Sequence, residues 1–153
     1  LARERSGQAC YGLPRRTSSP ALKITFCWGA RSADRFGAAD DFRRAGCDVH
    51  LATLDGSAGI RGTVIDLLEH LEAEGLSPPG HVATCGPDAM MAAVAGWARA
   101  HRLPCHASLE TPMACGIGIC FTCVAAIKDE AGGQDYRRTC IEGPVFDAAR
   151  IAW

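Results

Sequence analysis

The sequence lacks an excess of charge of either sign, a membrane-length apolar run, a secretory signal core and an initiating Met. Its 153 residues carry 16 Lys and Arg against 17 Asp and Glu, a formal net charge of −1. That near-balance gives no electrostatic basis for a nucleic-acid partner. Met90 to Ala98 comes nearest to a membrane span and is far shorter than the roughly 18 apolar residues one requires. Leu1-Ala2-Arg3-Glu4-Arg5 has no apolar h-region and resembles the tail of a helix already under way. The chain is therefore expected to be a piece of a longer protein. No internal repeat stands out, the G-x-G-x-x-G dinucleotide fingerprint is missing, and the five histidines lie without ligand spacing and receive no role.

What the sequence does have is cysteine, nine in all. Cys115, Cys120 and Cys123 read C-x4-C-x2-C, and Cys140 follows at a distance. This is the pattern of plant-type [2Fe–2S] proteins, in which four thiolates hold two sulfide-bridged irons and the centre carries one electron at a time. Gly116 and Gly118 suit a loop that wraps such a centre, because glycine accepts positive φ and has no Cβ to collide. Their N–H groups are expected to point at sulfur and raise the potential. Val124–Lys128, a turn at 129–133 and Tyr136–Thr139 read as a hairpin that returns the chain to the cluster with Cys140. Zinc fits poorly, because structural zinc sites usually take two close pairs of ligands. An odd number of Cys without a secretory signature argues against a disulfide framework. Thiols such as Cys27, Cys47 and Cys85 favour a reducing compartment, so a cytoplasmic location is expected.

Hydrophobic content of 48% supports a real core. Residues 6–20, with Gly12, Pro14, Ser18, Ser19 and Pro20, read as loop, so 1–20 is taken as a remnant or linker. Ala21–Trp28 reads as a buried strand ended by Gly29-Ala30-Arg31-Ser32. Ala33–Ala45 reads as a helix with Phe36 and Phe42 inward, and Asp48–Leu54 as a second strand. A glycine-rich loop, 55–62, precedes an amphipathic helix over Thr63–Glu74 with Val64, Leu67, Leu68 and Leu71 on one face. His81–Cys85 is a third strand. Gly86-Pro87 opens a helix to His101, with Pro87 at its first position and Met90, Val94 and Trp97 as the inner stripe. The fold class expected is α/β, a parallel sheet covered by helices over residues 21–104, followed by a small strand- and loop-rich cluster domain over 105–153.

In parallel sheets, ligands bind beyond the carboxyl ends of the strands. Asp55-Gly56-Ser57-x-Gly59 lies there, at a helix N-terminus where backbone amides favour phosphate, although an ordinary strand-to-helix turn explains it as well. Cys85-Gly86-Pro87 also lies at a strand end, with core burial of Cys85 as the plainer reading. Arg31 and Ser32 follow the first strand, where Arg31 either meets a ribose or phosphate or stays solvated. Arg137 and Arg138, next to Cys140, either balance cluster charge, meet an acidic partner or are simply solvated.

Taken together, Ser108–Cys123 (SLETPMACGIGICFTC), Tyr136–Phe146 (YRRTCIEGPVF), Ala83–Ala95 (ATCGPDAMMAAVA) and Gly29–Phe36 (GARSADRF) resemble the electron-transfer subunit of NAD-linked, class 1B dihydroorotate dehydrogenase. The resemblance implies a ferredoxin-reductase-like nicotinamide domain and a C-terminal [2Fe–2S] domain, following a flavin-binding β-barrel. It implies FAD and NAD as cofactors. It also implies an FMN-containing catalytic subunit as partner, in a heterotetramer that serves pyrimidine biosynthesis. Carried over by position, Cys115, Cys120, Cys123 and Cys140 are the cluster ligands. Cys85, Gly86 and Pro87 fall near the nicotinamide, and Asp55, Gly56, Ser57 and Gly59 line the dinucleotide cleft; no catalytic residue is assigned. The sequence contains neither the barrel nor the glycine-rich turn that opens the nicotinamide domain, so this chain alone is not expected to be a complete reductase. Three other readings stay open. They are a subunit of another flavin and iron–sulfur NAD(P)H reductase, of sulfhydrogenase gamma or ferredoxin:NADP reductase type; a zinc-stabilised, non-redox binding module; and an inert truncation product.

Overall fold

A computed structural model describes residues 23–129 and 132–153. The expected remnant at 1–20, the start of the first strand, and Glu130 and Ala131 of the expected turn lie outside the described residues. The described residues divide into two compact units, one up to Glu74 and one from Gly75 onward.

In the first unit, β1 (Thr25–Ala30) pairs in parallel with β2 (Asp48–Thr53), and β2 with the two-residue β3 (Ile60–Arg61). Strand β1 runs through Gly29 and Ala30, which were expected to end it. Gly29 stays extended there because its missing side chain makes room for a helix: a Cβ at this position would stand 2.5 Å from Val64 Cγ2. The expected helix over Ala33–Ala45 is broken into a 3-10 turn (Ala33–Arg35) and α1 (Ala39–Arg44). Between them sits Gly37, a residue that favours interruption. Phe36 and Phe42 do turn toward the sheet, packing on Trp28 at 5.3 and 5.9 Å between ring centroids, and Phe42 stacks on Phe26 at 4.3 Å. Helix α2 (Val64–Ala73) starts at the Thr63 cap, whose hydroxyl accepts from the Asp66 N–H while the Asp66 carboxylate accepts from the Thr63 N–H. This reciprocal pair satisfies donors that the first turn would otherwise leave open. Val64, Leu67 and Leu71 are its buried face, and Ala52 and Thr53 of β2 are fully buried.

In the second unit, β4 (Val82–Cys85) leads into α3 (Asp88–Ala100) and then β5 (Cys105–Ser108), which pairs in parallel with β4. Pro87 is the N-cap of α3 rather than its first helical residue; its ψ of 140° is extended. The inner stripe is Met91, Val94 and Ala98. Met90 and Trp97, which were expected on it, sit at its flanks: both sets have helical spacing around Val94, and packing buries the Met91 and Ala98 side. Strand β8 (Val145–Asp147) adds antiparallel to β5. The hairpin of β6 (Val124–Lys128) and β7 (Gln134–Arg138) forms as expected, in register from Val124 opposite Arg138 to Lys128 opposite Gln134. The C-terminal segment lies along β6, with Lys128 N–H donating to Arg150 O and Ala152 N–H to Ala126 O.

The α/β class therefore holds, with two differences in organisation. Parallel pairing occurs in two separate sheets, in the orders β1-β2-β3 and β4-β5-β8, rather than in one. A doubly wound sheet grows outward from its opening strand, and the described residues include no such strand. The units also divide at Glu74–Gly75 instead of near Pro104. The reason lies in β5, whose backbone is shared between β4 on one side and β8 on the other, so the segment after Pro104 is built onto β4 and α3. Among the described residues, no helix is long and apolar enough to cross a membrane.

Candidate metal centre

After β5 the chain runs without regular structure until it enters β6 at Val124. Cys115, Cys120 and Cys123 lie on this stretch. Gly116 and Gly118 both adopt positive φ, 67° and 80°, as a tightly curled loop of this kind requires. The curl turns backbone donors toward sulfur. Cys120 N–H donates to Cys115 Sγ at 3.4 Å, and the N–H groups of Ile117 and Ile119 also face that sulfur. Gly118 N–H faces Cys140. Of the two glycines expected to donate, Gly118 does so. The remaining donors stand at other positions, which the glycine turns orient.

Cys140 arrives through the hairpin. One residue beyond the Val124–Arg138 pair, Thr139 N–H donates to Cys123 O at 2.8 Å, and the fully buried Thr139 hydroxyl donates to the same oxygen at 3.2 Å. Thr139 Oγ1 also meets Thr111 Oγ1. These bonds set Cys140 beside Cys123, and their side chains hydrogen-bond.

The four thiols are free and stand two by two: Cys120 donates to Cys115 Sγ at 3.2 Å, and Cys140 to Cys123. Hydrogen bonds from the loop amides pull the Cys115 thiol down to about 6. The bond from Cys140 lowers Cys123, and Cys140, as the donor beside a forming thiolate, is raised. Among the described residues, no three His, Cys, Asp or Glu side chains converge on one metal position. A mononuclear zinc site needs three or four ligands around one ion. Two bridged irons need two thiolates each, and two thiol pairs fit that donor set.

A charged network backs the loop. Glu142 accepts from Arg138 N–H at 2.8 Å and Nε at 3.2 Å, and from Arg137 Nη1 at 3.0 Å, which holds its carboxyl down at about 2. Arg137 also reaches Asp135 at 3.1 Å. Arg138 Nη1 donates to Gly118 O at 2.9 Å, and its guanidinium lies 5.3 Å from the centre of the Phe121 ring. The sequence singled out both arginines. Glu142 and Thr139 were missed, because their bonds form at a strand end and the turn after it, where residue spacing carries no pairing signal.

The nucleotide-loop residues divide between the units. In the first, Arg31, Ser32, Asp55, Gly56 and Ser57 come together at the carboxyl ends of β1 and β2, where Asp55 N–H donates to Arg31 O at 3.3 Å and Ala33 N–H to Ser57 Oγ at 2.8 Å. Ser57 Oγ and N–H both donate to Asp55 Oδ1, at 2.6 and 2.9 Å, and hold its carboxyl below the usual range. Ser32 Oγ is bonded to Asp34. Gly59 packs on the backbone of Leu51. Cys85, Gly86 and Pro87 belong to the second unit; Cys85 is exposed, not a core residue.

The two extremes of thiol chemistry are separable by experiment. In metal-free protein at pH 7, iodoacetamide is expected to alkylate Cys115 well ahead of Cys27, whose thiol burial and Asp48 push up to about 11. Only the thiolate reacts, so lowering the pH to 5 is expected to slow Cys115 by roughly tenfold. Peptide mass spectrometry reads both rates, and a pH-independent Cys115 rate would contradict the lowered value.

Comparison with known proteins follows the same residues. The family described as the iron–sulfur cluster binding domain of dihydroorotate dehydrogenase B matches residues 110–152. The electron transfer subunits of dihydroorotate dehydrogenase B (NAD(+)) from Bacillus cereus and Bacillus anthracis are each 31% identical over 141 residues, covering 92% of this chain and 52% of theirs. A solved structure of an NADH-dependent reduced ferredoxin–NADP oxidoreductase, reported for flavin-based electron bifurcation, matches with a TM-score of 0.70 and 27% identity, over 86% of this chain and 45% of that one. The chain thus spans about half the length of the relatives it matches. Residues 110–152 thus match the iron–sulfur cluster binding domain of dihydroorotate dehydrogenase B, and the chain over most of its length is similar to that enzyme's electron transfer subunits.

Proposed function

We propose that this chain is the nicotinamide- and cluster-bearing part of an electron-transfer subunit of dihydroorotate dehydrogenase, with Cys115, Cys120, Cys123 and Cys140 holding a [2Fe–2S] cluster. The two-by-two pairing of these thiols, on a loop whose amides face sulfur, is the observation that carries the proposal. When bound, the cluster supplies one-electron transfer, which FAD interconverts with the hydride chemistry of NAD. The chain's own part is to supply two thiolate pairs, to offset their charge with N–H donors and to keep the loop curled through Gly116 and Gly118. Arg31, Ser32, Asp55, Gly56, Ser57 and Gly59 in the first unit, and Cys85, Gly86 and Pro87 in the second, are proposed to serve the dinucleotide. The family resemblance and their place at strand ends support that role.

The partner proposed is an FMN-containing catalytic subunit, in a cytoplasmic heterotetramer of pyrimidine biosynthesis. Support comes from the apolar side chains that the loop leaves exposed, namely Met113, Ile117, Ile119 and Phe121. Clustered exposed apolar groups of this kind mark interaction sites. A subunit of another flavin and iron–sulfur NAD(P)H reductase is the second reading, favoured by the likeness to the ferredoxin–NADP oxidoreductase structure.

Reconstitution under anaerobic conditions tests the metal centre. The expected result is iron and acid-labile sulfide at about two of each per chain. Zinc in place of iron would favour the binding-module reading, and neither metal would leave an inert fragment. Co-purification with an FMN subunit that reduces NAD from dihydroorotate separates the first reading from the second.

A further inference from the structure

Arg138 does more than sit near the thiols. Its Nη1 donates to Gly118 O at 2.9 Å, across the loop from its own strand. Gly118 O and Ile119 N–H belong to one peptide unit, and Ile119 N–H faces Cys115 Sγ. A cation on the carbonyl end of a peptide polarises the whole unit and strengthens the donor at its other end. The preceding peptide presents Gly118 N–H to Cys140. One anchor at Gly118 O thus holds in place two donors, directed to one member of each thiol pair.

The guanidinium is itself fixed. Its Nε and backbone N–H both bind Glu142 Oε2, at 3.2 and 2.8 Å, and β7 pairing holds its Cα opposite Val124. The adjacent Arg137 offers a built-in comparison, carrying the same charge. It bonds to Glu142 Oε1 at 3.0 Å and to Asp135 at 3.1 Å, both outside the 115–123 loop.

We propose that Arg138 is a positioning residue for the metal centre: it pins the loop through Gly118 O and, through the peptide that follows, raises the cluster's reduction potential. The proposal rests on the cluster reading above. Its sign follows from charge. Reduction adds an electron to an anionic centre, so donors to sulfur stabilise the reduced form more than the oxidised form. Loss of the anchor therefore lowers the potential.

The test uses the reconstituted chain with Arg138→Gln, Arg138→Lys and Arg137→Gln. Midpoint potentials are read by a mediated titration followed by electron paramagnetic resonance of the reduced cluster, with hydrogen exchange of residues 116–122 alongside. In Arg138→Gln, the reduced-to-oxidised ratio at fixed ambient potential is expected to fall by up to about tenfold, which is 59 mV for a one-electron couple, and loop exchange is expected to quicken. Arg138→Lys, which keeps a donor, is expected to recover part of both effects, and Arg137→Gln to change them little. Equal shifts in Arg138→Gln and Arg137→Gln would reduce the effect to bulk charge and overturn the proposal. An unchanged potential in Arg138→Gln overturns it as well. Failure of Arg138→Gln alone to take up a cluster, with faster loop exchange, supports the pinning. If the parent chain takes up no iron and sulfide, the cluster reading fails. Loop exchange in metal-free protein then still decides the anchor, which is lost if Arg138→Gln exchanges no faster than the parent.

Discussion

Cys120→Ser, reconstituted anaerobically, is expected to lose the visible iron–sulfur absorption and most of its bound iron, whereas Cys85→Ser keeps both. Cys120 shares one thiol pair with Cys115, at 3.2 Å between sulfurs, and its own N–H is one of the donors to that partner. Serine preserves the backbone donor and the approximate size, so the loop is not expected to unfold. What is lost is the thiolate. A serine hydroxyl stays protonated near neutral pH and is a harder ligand than the sulfur that iron–sulfur centres use. Three remaining cysteines leave one iron with a single thiolate. Cys85, exposed at the end of β4 and outside the loop, controls for general effects of removing a thiol. Iron and sulfide analysis with the absorption spectrum reads the outcome. Full iron–sulfur absorbance in Cys120→Ser would falsify the ligand assignment.

Gly59→Ala is expected to destabilise the first unit by about 3 kcal/mol, the sum of a left-handed backbone penalty of roughly 1–2 kcal/mol and an overpacking cost of similar size. Gly59 has φ of +65°, and a Cβ there would stand 1.9 Å from Leu51 O and 2.4 Å from Leu51 C. Those atoms are strand backbone, paired through Leu51 with Trp28 in β1, and they cannot swing aside as a side-chain tip would. Gly46→Ala supplies the contrast. It has φ of +85° with nothing within 4 Å of its Cβ, so only the conformational part applies, about 1 kcal/mol. Urea unfolding, with hydrogen exchange of the β2 amides, measures both variants. Equal stabilities would remove the packing argument. The contact also gives Gly59 a structural reason independent of any dinucleotide, so a ligand role for the loop is better tested at Arg31, which is exposed.

The cluster segment was the most legible part of the chain, because C-x4-C-x2-C with a remote fourth Cys is a spacing tied to a donor count. The hairpin that returns Cys140 was legible too, from an apolar run, a glycine turn and a second run. Helix α2 announced itself through its apolar face, whereas the reciprocal Thr63–Asp66 cap emerged only from the structure. Helix α3 was legible as a helix but not its buried face, because Met90, Val94 and Trp97 and Met91, Val94 and Ala98 are both helical spacings, and only packing selects the second. Gly29 was expected to end the strand because clusters containing Gly and Ser commonly bound one. Here it admits Val64 instead, a contact with no local signature.

Local patterns by themselves determined the α/β class, the four thiols and the glycine turns that curl their loop. Those properties depend on residue type and short spacing, which a linear text preserves. Only the tertiary structure decided that the thiols pair as Cys115 with Cys120 and Cys123 with Cys140, that β5 joins β4 to β8, and that Arg138 reaches Gly118 O. Cys115 and Cys120 meet through the curl of their own loop; the others bring together groups far apart in the chain, and their meeting depends on strand register and loop closure.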